Sequence, residues 1–220
     1  MSGRLAVIEG PDGAGKTTQF EILAKRLADE GIDYRAVSFP QYDKEYSALV
    51  RIYLRGDFGD DPTGINPYAA STFYAVDRWA SYNTLWREYY QDGGLVLCSR
   101  YTTSNAIHQG AKLPRAERTG YFKWLDEYEH GLLGIPRPDT VVFLDLPPSF
   151  ALEQLEARGD ERDIHERDAK YLEDCYETAL MAAAYYCWTR VACVDNGKRR
   201  DIETIAGEIH HIIIAGGAKG

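Results

Sequence analysis

The stretch GPDGAGKTT, from Gly10 to Thr18, constrains the fold more than any other part of the chain. It satisfies G-x-x-x-x-G-K-[ST], a glycine-rich turn between a strand and a helix whose backbone N–H groups converge on phosphate. The flanks agree with that reading. Leu5 to Ile8 form an apolar run suited to a buried strand, and Phe20, Leu23, Ala24 and Leu27 recur at helical spacing. Gly10, Gly13 and Gly15 let the loop curl around Pro11, Asp12 and Ala14, and the next helix adds the positive end of its dipole. In such a cradle Lys16 is expected to reach terminal phosphates, and the Thr17 hydroxyl, followed by Thr18, to join a Mg²⁺ shell.

The rest of the chain repeats the strand-then-helix pattern. Strands are expected at 5–9, 34–39, 95–99, 140–145 and 191–195, and helices at 15–30, 46–54, 68–90, 115–133, 149–157, 165–186 and 202–213. This alternation predicts an α/β fold of three layers, a five-stranded parallel sheet with helices on both faces. Ligands in such sheets collect at the carboxyl ends of the strands. A length of 220 residues suits a single domain, 1–220, with 56–67 as an internal loop.

Charge and cysteine usage narrow the class. A net charge of −9 argues against a nucleic-acid surface, so an anionic ligand needs a local basic pocket. Cys98, Cys175, Cys187 and Cys193 lack metal-type spacing and read as free thiols in a reducing compartment. The first strand begins almost at once, leaving no room for a signal peptide, and no apolar run approaches the roughly 20 residues that span a bilayer. A cytoplasmic protein is expected, with no membrane partner.

The unusual residues fall just after the expected strands. Phe39, Pro40, Gln41 and Tyr42 follow the second. In the long third helix Phe73, Val76 and Ala80 are expected to face the core, while Tyr74 and Arg78 share a neighbouring face four residues apart. A ring and a guanidinium so placed can hold a nucleobase, although an exposed aromatic beside a surface arginine has the same spacing. Arg100 directly follows the third strand and should project over the phosphate loop, and Asn105 and His108 lie on one side of a helical turn. Further on, Arg158, Arg162 and Arg167 sit among acids, either as a solvated loop or as a lid that closes over a transferring phosphoryl group.

Together, EGPDGAGKTTQ, FPQY, the Tyr74-to-Trp79 segment, SRYTTSN and the arginine-rich stretch resemble the thymidylate kinase family of P-loop nucleoside monophosphate kinases, across nearly the whole chain. The resemblance implies the P-loop NTPase fold with a mobile lid at about 158–166, ATP as donor with Mg²⁺, dTMP as acceptor, and a homodimer. It places Asp12 on the acceptor 3′-hydroxyl, Tyr74 and Arg78 on the base, Arg100 between the donor and acceptor phosphates, and Asn105 facing the base. Phe39 and Pro40 match the wall beside the acceptor sugar and phosphate, with Tyr42 in the same segment, and His108 stands beside the sugar 2′-position. Because Gly13 occupies the place of a loop arginine, Arg158 or Arg162 is expected to supply that charge.

The sequence also departs from the family pattern. Ser99 replaces an acid usual before the arginine, and Asp145 is a candidate either to compensate or to cap the next helix. Gln41 and His108 replace a common arginine and a common tyrosine or phenylalanine, and Glu166 in the lid helix is a weaker acceptor-side candidate. A kinase for another deoxynucleotide or nucleoside, or a nucleotide-binding regulator weakened at Ser99, are the alternatives.

Overall fold

The computed structural model describes residues 3–59, 61, 63–152 and 169–216. β1 (Arg4–Glu9), β2 (Tyr34–Ser38), β3 (Leu95–Ser99), β4 (Thr140–Asp145) and β5 (Thr189–Ala192) form one parallel sheet in the order β2-β3-β1-β4-β5. β1 is therefore central, with Ile8 opposite Ser99 on one side and Val142 on the other. The chain leaves β1 toward β2 on one side and, after β3, crosses to β4 on the other, which opens a crevice at the carboxyl end of β1.

A central parallel strand must be apolar on both faces, and β1 is. Ala6 and Ile8 pack with Leu23 and Leu27 of α1 (Lys16–Asp29) and Ile205, Ile209 and Ile213 of α8 (Ile202–Ala215). Leu5 and Val7 point the other way, against Val96, Cys98, Trp86 and Tyr101. On that second face Ile107 of α5 (Thr102–His108) meets Phe143 and Tyr171 and Cys175 of α7 (Ala169–Tyr185). α6 (Arg118–Asp126) packs outside them through Phe122 and Leu125.

The long helix starts where Asn66 caps it. Its Oδ1 accepts from the N–H groups of Tyr68 (2.9 Å) and Ala69 (3.2 Å), and Pro67 opens the first turn of α3 (Pro67–Ser81). The expected helix 68–90 continues through a wider turn at Tyr82–Trp86 into α4 (Arg87–Gln91). The orientation expected for α3 needs correction. Val76 is 45 % exposed and Phe73 only partly buried, while Arg78 is 1 % exposed. Small residues Ala70, Ser71, Ala75 and Ser81 make the buried face, and a buried acid partner keeps Arg78 there.

The last strand is also displaced. Asn196 and Gly197 adopt positive φ (48° and 73°), turning Val194–Asp195 back to pair with Lys198–Arg199 instead of extending β5. The expected helix at 149–157 begins at residue 148 and is described to 152, and 165–168 of the next expected helix fall outside the described residues. No helix among the described residues is long and apolar enough to cross a membrane. All four cysteines are free, with Cys187 exposed and the other three buried.

Candidate active site

The phosphate loop is shaped as its sequence requires. Gly13 and Gly15 have φ of 81° and 82°, the left-handed region that glycine enters at low cost. A Cβ on Gly10 would lie 2.9 Å from Leu144 Cβ, so only glycine fits against β4 there. Gly15 ends the loop with no side-chain cap on α1, which leaves the first N–H groups of that helix open to an anion. Thr17 and Thr18 are exposed beside them.

Charge is concentrated at the mouth of this loop. Lys16 Nζ donates to the carbonyls of Gly10 (2.7 Å) and Pro11 (2.9 Å) and to Asp12 Oδ1 (3.2 Å). Arg100, at φ 63° just past β3, donates through Nη2 to the same Asp12 oxygen and lies 3.8 Å from Glu9 Oε1 through Nη1. Burial works against the Asp12 carboxylate, yet Arg100, Lys16 and His108 outweigh it and hold Asp12 well below the usual range. Burial and then Arg100 lower the Lys16 ammonium, and burial and then Arg100 bring His108 down to about 4. The rim at neutral pH therefore includes the Arg100 guanidinium, an ionised Asp12 and an uncharged imidazole.

Glu9 ties the loop to α5. Its carboxylate accepts from Gly10 N–H (3.0 Å), Thr103 Oγ1 (2.7 Å) and Ser104 Oγ (2.6 Å), with no solvent exposure. The sequence signal for Glu9 is an acid closing an otherwise apolar strand immediately before Gly10. Asp145 makes no capping hydrogen bond among the described residues; instead Tyr176 Oη (2.8 Å) and Arg190 Nη2 (2.5 Å) donate to its two oxygens. Among the described residues no group of three His, Cys, Asp or Glu side chains could hold a metal. The donor set that remains, the Thr17 hydroxyl beside an open phosphate cradle, fits a metal that arrives on the phosphates.

A second pocket shares this rim. Asp12, Arg100 and His108 line it together with Phe39, Pro40, Tyr42, Tyr74, Arg78, Asn105 and Gln109. A larger cavity of about 450 Å³ lies elsewhere, between α5, α6 and the starts of β4 and β5, away from the phosphate loop. Size alone would thus select the wrong pocket.

The floor of the rim pocket is a buried polar network. Glu129, fully buried in the turn after α6, accepts from Arg78 Nε (2.7 Å) and Nη2 (2.6 Å) and from Asn105 Nδ2 (3.1 Å). Arg78 Nη1 donates to the Tyr101 carbonyl at 3.2 Å. The guanidinium is thereby locked in plane, and an N–H on each Nη remains for a ligand. Burial opposes the Arg78 charge, and Glu129 more than restores it. Asp77 holds the Phe39-to-Tyr42 segment in place by accepting from Gln41 N–H (3.2 Å) and Ser47 Oγ. Tyr74 meets Tyr53 edge to face at 6.1 Å.

Gln109 was not singled out by the sequence and carried no signal there. It is 1 % exposed, and its Oε1 has no hydrogen-bond partner among the described residues. A buried amide oxygen left unpaired costs about 1–3 kcal/mol, which a ligand N–H would recover. Glu129 did carry a signal: Phe122, Leu125 and Glu129 share helical spacing, so an acid continues an apolar stripe. Arg158, Arg162, Arg167 and Glu166 lie outside the described residues.

Comparison with known proteins gives the family. The family model described as Thymidylate kinase matches residues 8–200. The thymidylate kinase of Mycobacterium tuberculosis is 33 % identical over 175 residues, covering 76 % of this chain and 79 % of that protein. That of Clavibacter sepedonicus is 31 % identical over 226 residues, covering 99 % of each. In fold, the thymidylate kinase of Candida albicans superposes with a TM-score of 0.74 at 19 % identity, covering 98 % of this chain and 93 % of the other. Matched by that family model over residues 8–200 and by relatives at 31–33 % identity, this chain belongs to the thymidylate kinase family.

Proposed function

We propose that the chain transfers the γ-phosphoryl group of ATP to dTMP, giving dTDP. The observation that carries this reading is the position of Arg100, joined to Asp12 of the phosphate loop while lining the pocket of Tyr74, Arg78 and Gln109. A guanidinium there neutralises charge on both the donor and the acceptor phosphates. The acceptor phosphate has a second pKa of about 6, so it is mostly ionised near neutral pH and attacks without a general base. What the protein must supply is in-line alignment and charge neutralisation.

The chain's own residues divide these tasks. Residues 10–18 wrap the ATP phosphates, with Lys16 turning from the Gly10 and Pro11 carbonyls toward the terminal ones. The Thr17 hydroxyl would help to hold Mg²⁺ on the bound phosphates, where the ion would supply further charge neutralisation. Asp12 contacts the acceptor 3′-hydroxyl, and Tyr74 stacks on the base. The free N–H groups of Arg78 donate to the base carbonyl, and Gln109 Oε1 accepts the imide N–H beside it. That pairing suits thymine and opposes cytosine, whose ring nitrogen has no hydrogen there. Asn105 supports the base edge, Phe39, Pro40 and Tyr42 wall the sugar and phosphate, and His108 lies beside the 2′-position. Arg158 and Arg162 are the proposed lid arginines.

Leu49, Val76 and Trp79 expose 45 % each on α2 (Ala48–Arg55) and α3, which supports a homodimer packed through these helices. Free thiols and nucleotide substrates support a cytoplasmic setting. The test is ADP release with dTMP, dUMP, dCMP, dGMP and thymidine as acceptors. The expected result is strong dTMP dependence, and phosphorylation of thymidine in preference to dTMP would overturn the assignment.

A further inference from the structure

Arg100 is held from three directions. Asp12 takes Nη2, Glu9 lies 3.8 Å from Nη1, and His108 Nε2 lies 3.4 Å from Nη1. Arginine has only donors, so the imidazole nitrogen that faces it must carry a lone pair. The ring's proton then sits on Nδ1, which points to Cys175 Sγ at 3.6 Å. The backbone of the same residue is fixed by Tyr171 Oη, which donates to the His108 carbonyl at 2.6 Å. Burial and the Arg100 charge both disfavour a second proton on the ring, in agreement with that geometry.

We propose that His108 is a positioning residue for Arg100, a Nδ1–H imidazole that accepts from Nη1 through Nε2 while α7 holds it through Cys175 and Tyr171. The choice of a neutral acceptor has a physical reason. Arg100 already faces two carboxylates, and a third would cancel the charge that incoming phosphates need. An uncharged nitrogen fixes the direction of the guanidinium and leaves its charge intact. A phenylalanine at this position would keep a ring beside the sugar and remove that acceptor. The proposal rests on reading Arg100 as the cation between the two phosphates.

Two measurements test it. In ¹⁵N-labelled wild-type protein near neutral pH, the His108 ring should show a pyrrole-like Nδ1 and a pyridine-like Nε2. An Nε2–H tautomer or a doubly protonated ring overturns the proposal. In steady-state assays, His108→Phe should lower kcat roughly tenfold with ATP affinity unchanged, consistent with one lost charge-orienting hydrogen bond. His108→Gln, whose Oε1 can accept from Nη1, should recover most of that loss. A His108→Phe enzyme with wild-type kcat, or a Gln variant no better than Phe, contradicts the role. Absence of dTMP turnover in the wild type would instead remove the assigned acceptor, while the ring shifts still decide the tautomer.

Discussion

The donor loop and the acceptor pocket share Asp12 and Arg100 but are built on different principles. The loop is contiguous and offers backbone N–H groups that glycines orient, with its threonines open to solvent. The pocket is assembled from α3, the residues after β2 and β3, and α5, over a floor in which Arg78, Asn105 and Glu129 are almost fully buried and paired before any ligand arrives. One region waits with unsatisfied donors, while the other is preorganised by a charged network. Damage to the first should therefore appear mainly in ATP handling, and damage to the second in stability and acceptor choice.

Arg100 belongs to both regions, so its loss should have the largest effect. Arg100→Ala is expected to lower turnover by about 10³-fold or more, on the scale of an arginine that stabilises transferring phosphoryl charge. ATP binding by titration should be largely kept, and near-normal turnover would separate the two regions after all. On the acceptor side alone, Glu129→Ala leaves Arg78 buried without its partner. Thermal or denaturant unfolding should show a loss of about 3–5 kcal/mol, and a change confined to kinetics would contradict the preorganised floor.

Gln109→Leu sharpens the contrast. It removes a buried acceptor that has no hydrogen-bond partner among the described residues, so it should leave stability unchanged or improved. Its dTMP affinity should fall roughly tenfold while ATP affinity holds, consistent with one ligand hydrogen bond of about 1–2 kcal/mol. Equal dTMP binding by wild type and variant would remove Gln109 from the base edge.

The rim should also respond to pH. His108 is brought down to about 4 in the folded chain, against an ordinary value of 6.5. Its contribution to stability is complete above pH 6.5 and is lost as pH falls toward 4, because the unfolded chain takes up the proton first. His108→Phe should flatten stability across that window by about 1–3 kcal/mol, measured as the difference between the two pH profiles. The smallest effect is expected at Ser99, where Ser99→Asp should keep or modestly raise activity by restoring an acid before Arg100. A collapse of activity would show that the serine has a function of its own.

Legibility in the sequence followed the same division. The loop could be read outright, because a backbone-based site is specified by consecutive residues and their glycines. The sheet and most helices followed from periodicity, and Tyr74, Arg78, Arg100, Asn105 and His108 do meet in one pocket. The core face of α3 was misassigned because periodicity counts Val76 as core and leaves Arg78 on a neighbouring face, whereas Arg78 is the buried one. Arg78 is buried by its pairing with Glu129, 51 positions away; local spacing marks Glu129 as an acid on an apolar stripe but does not name its partner. Gln109 and the Asp77 anchor were invisible for the same reason: their significance lies in what they touch. At Asp145 the expected cap gave way to Arg190 on the neighbouring strand and Tyr176 on α7.

The most direct measurement is a crystal structure with dTMP and a non-hydrolysable ATP analogue bound together. The two-region account predicts thymine against Tyr74, its edge on Arg78 and Gln109, and the Arg100 guanidinium between the two nucleotides' phosphates. A base seated elsewhere, or Arg100 turned out to bulk solvent, would contradict it.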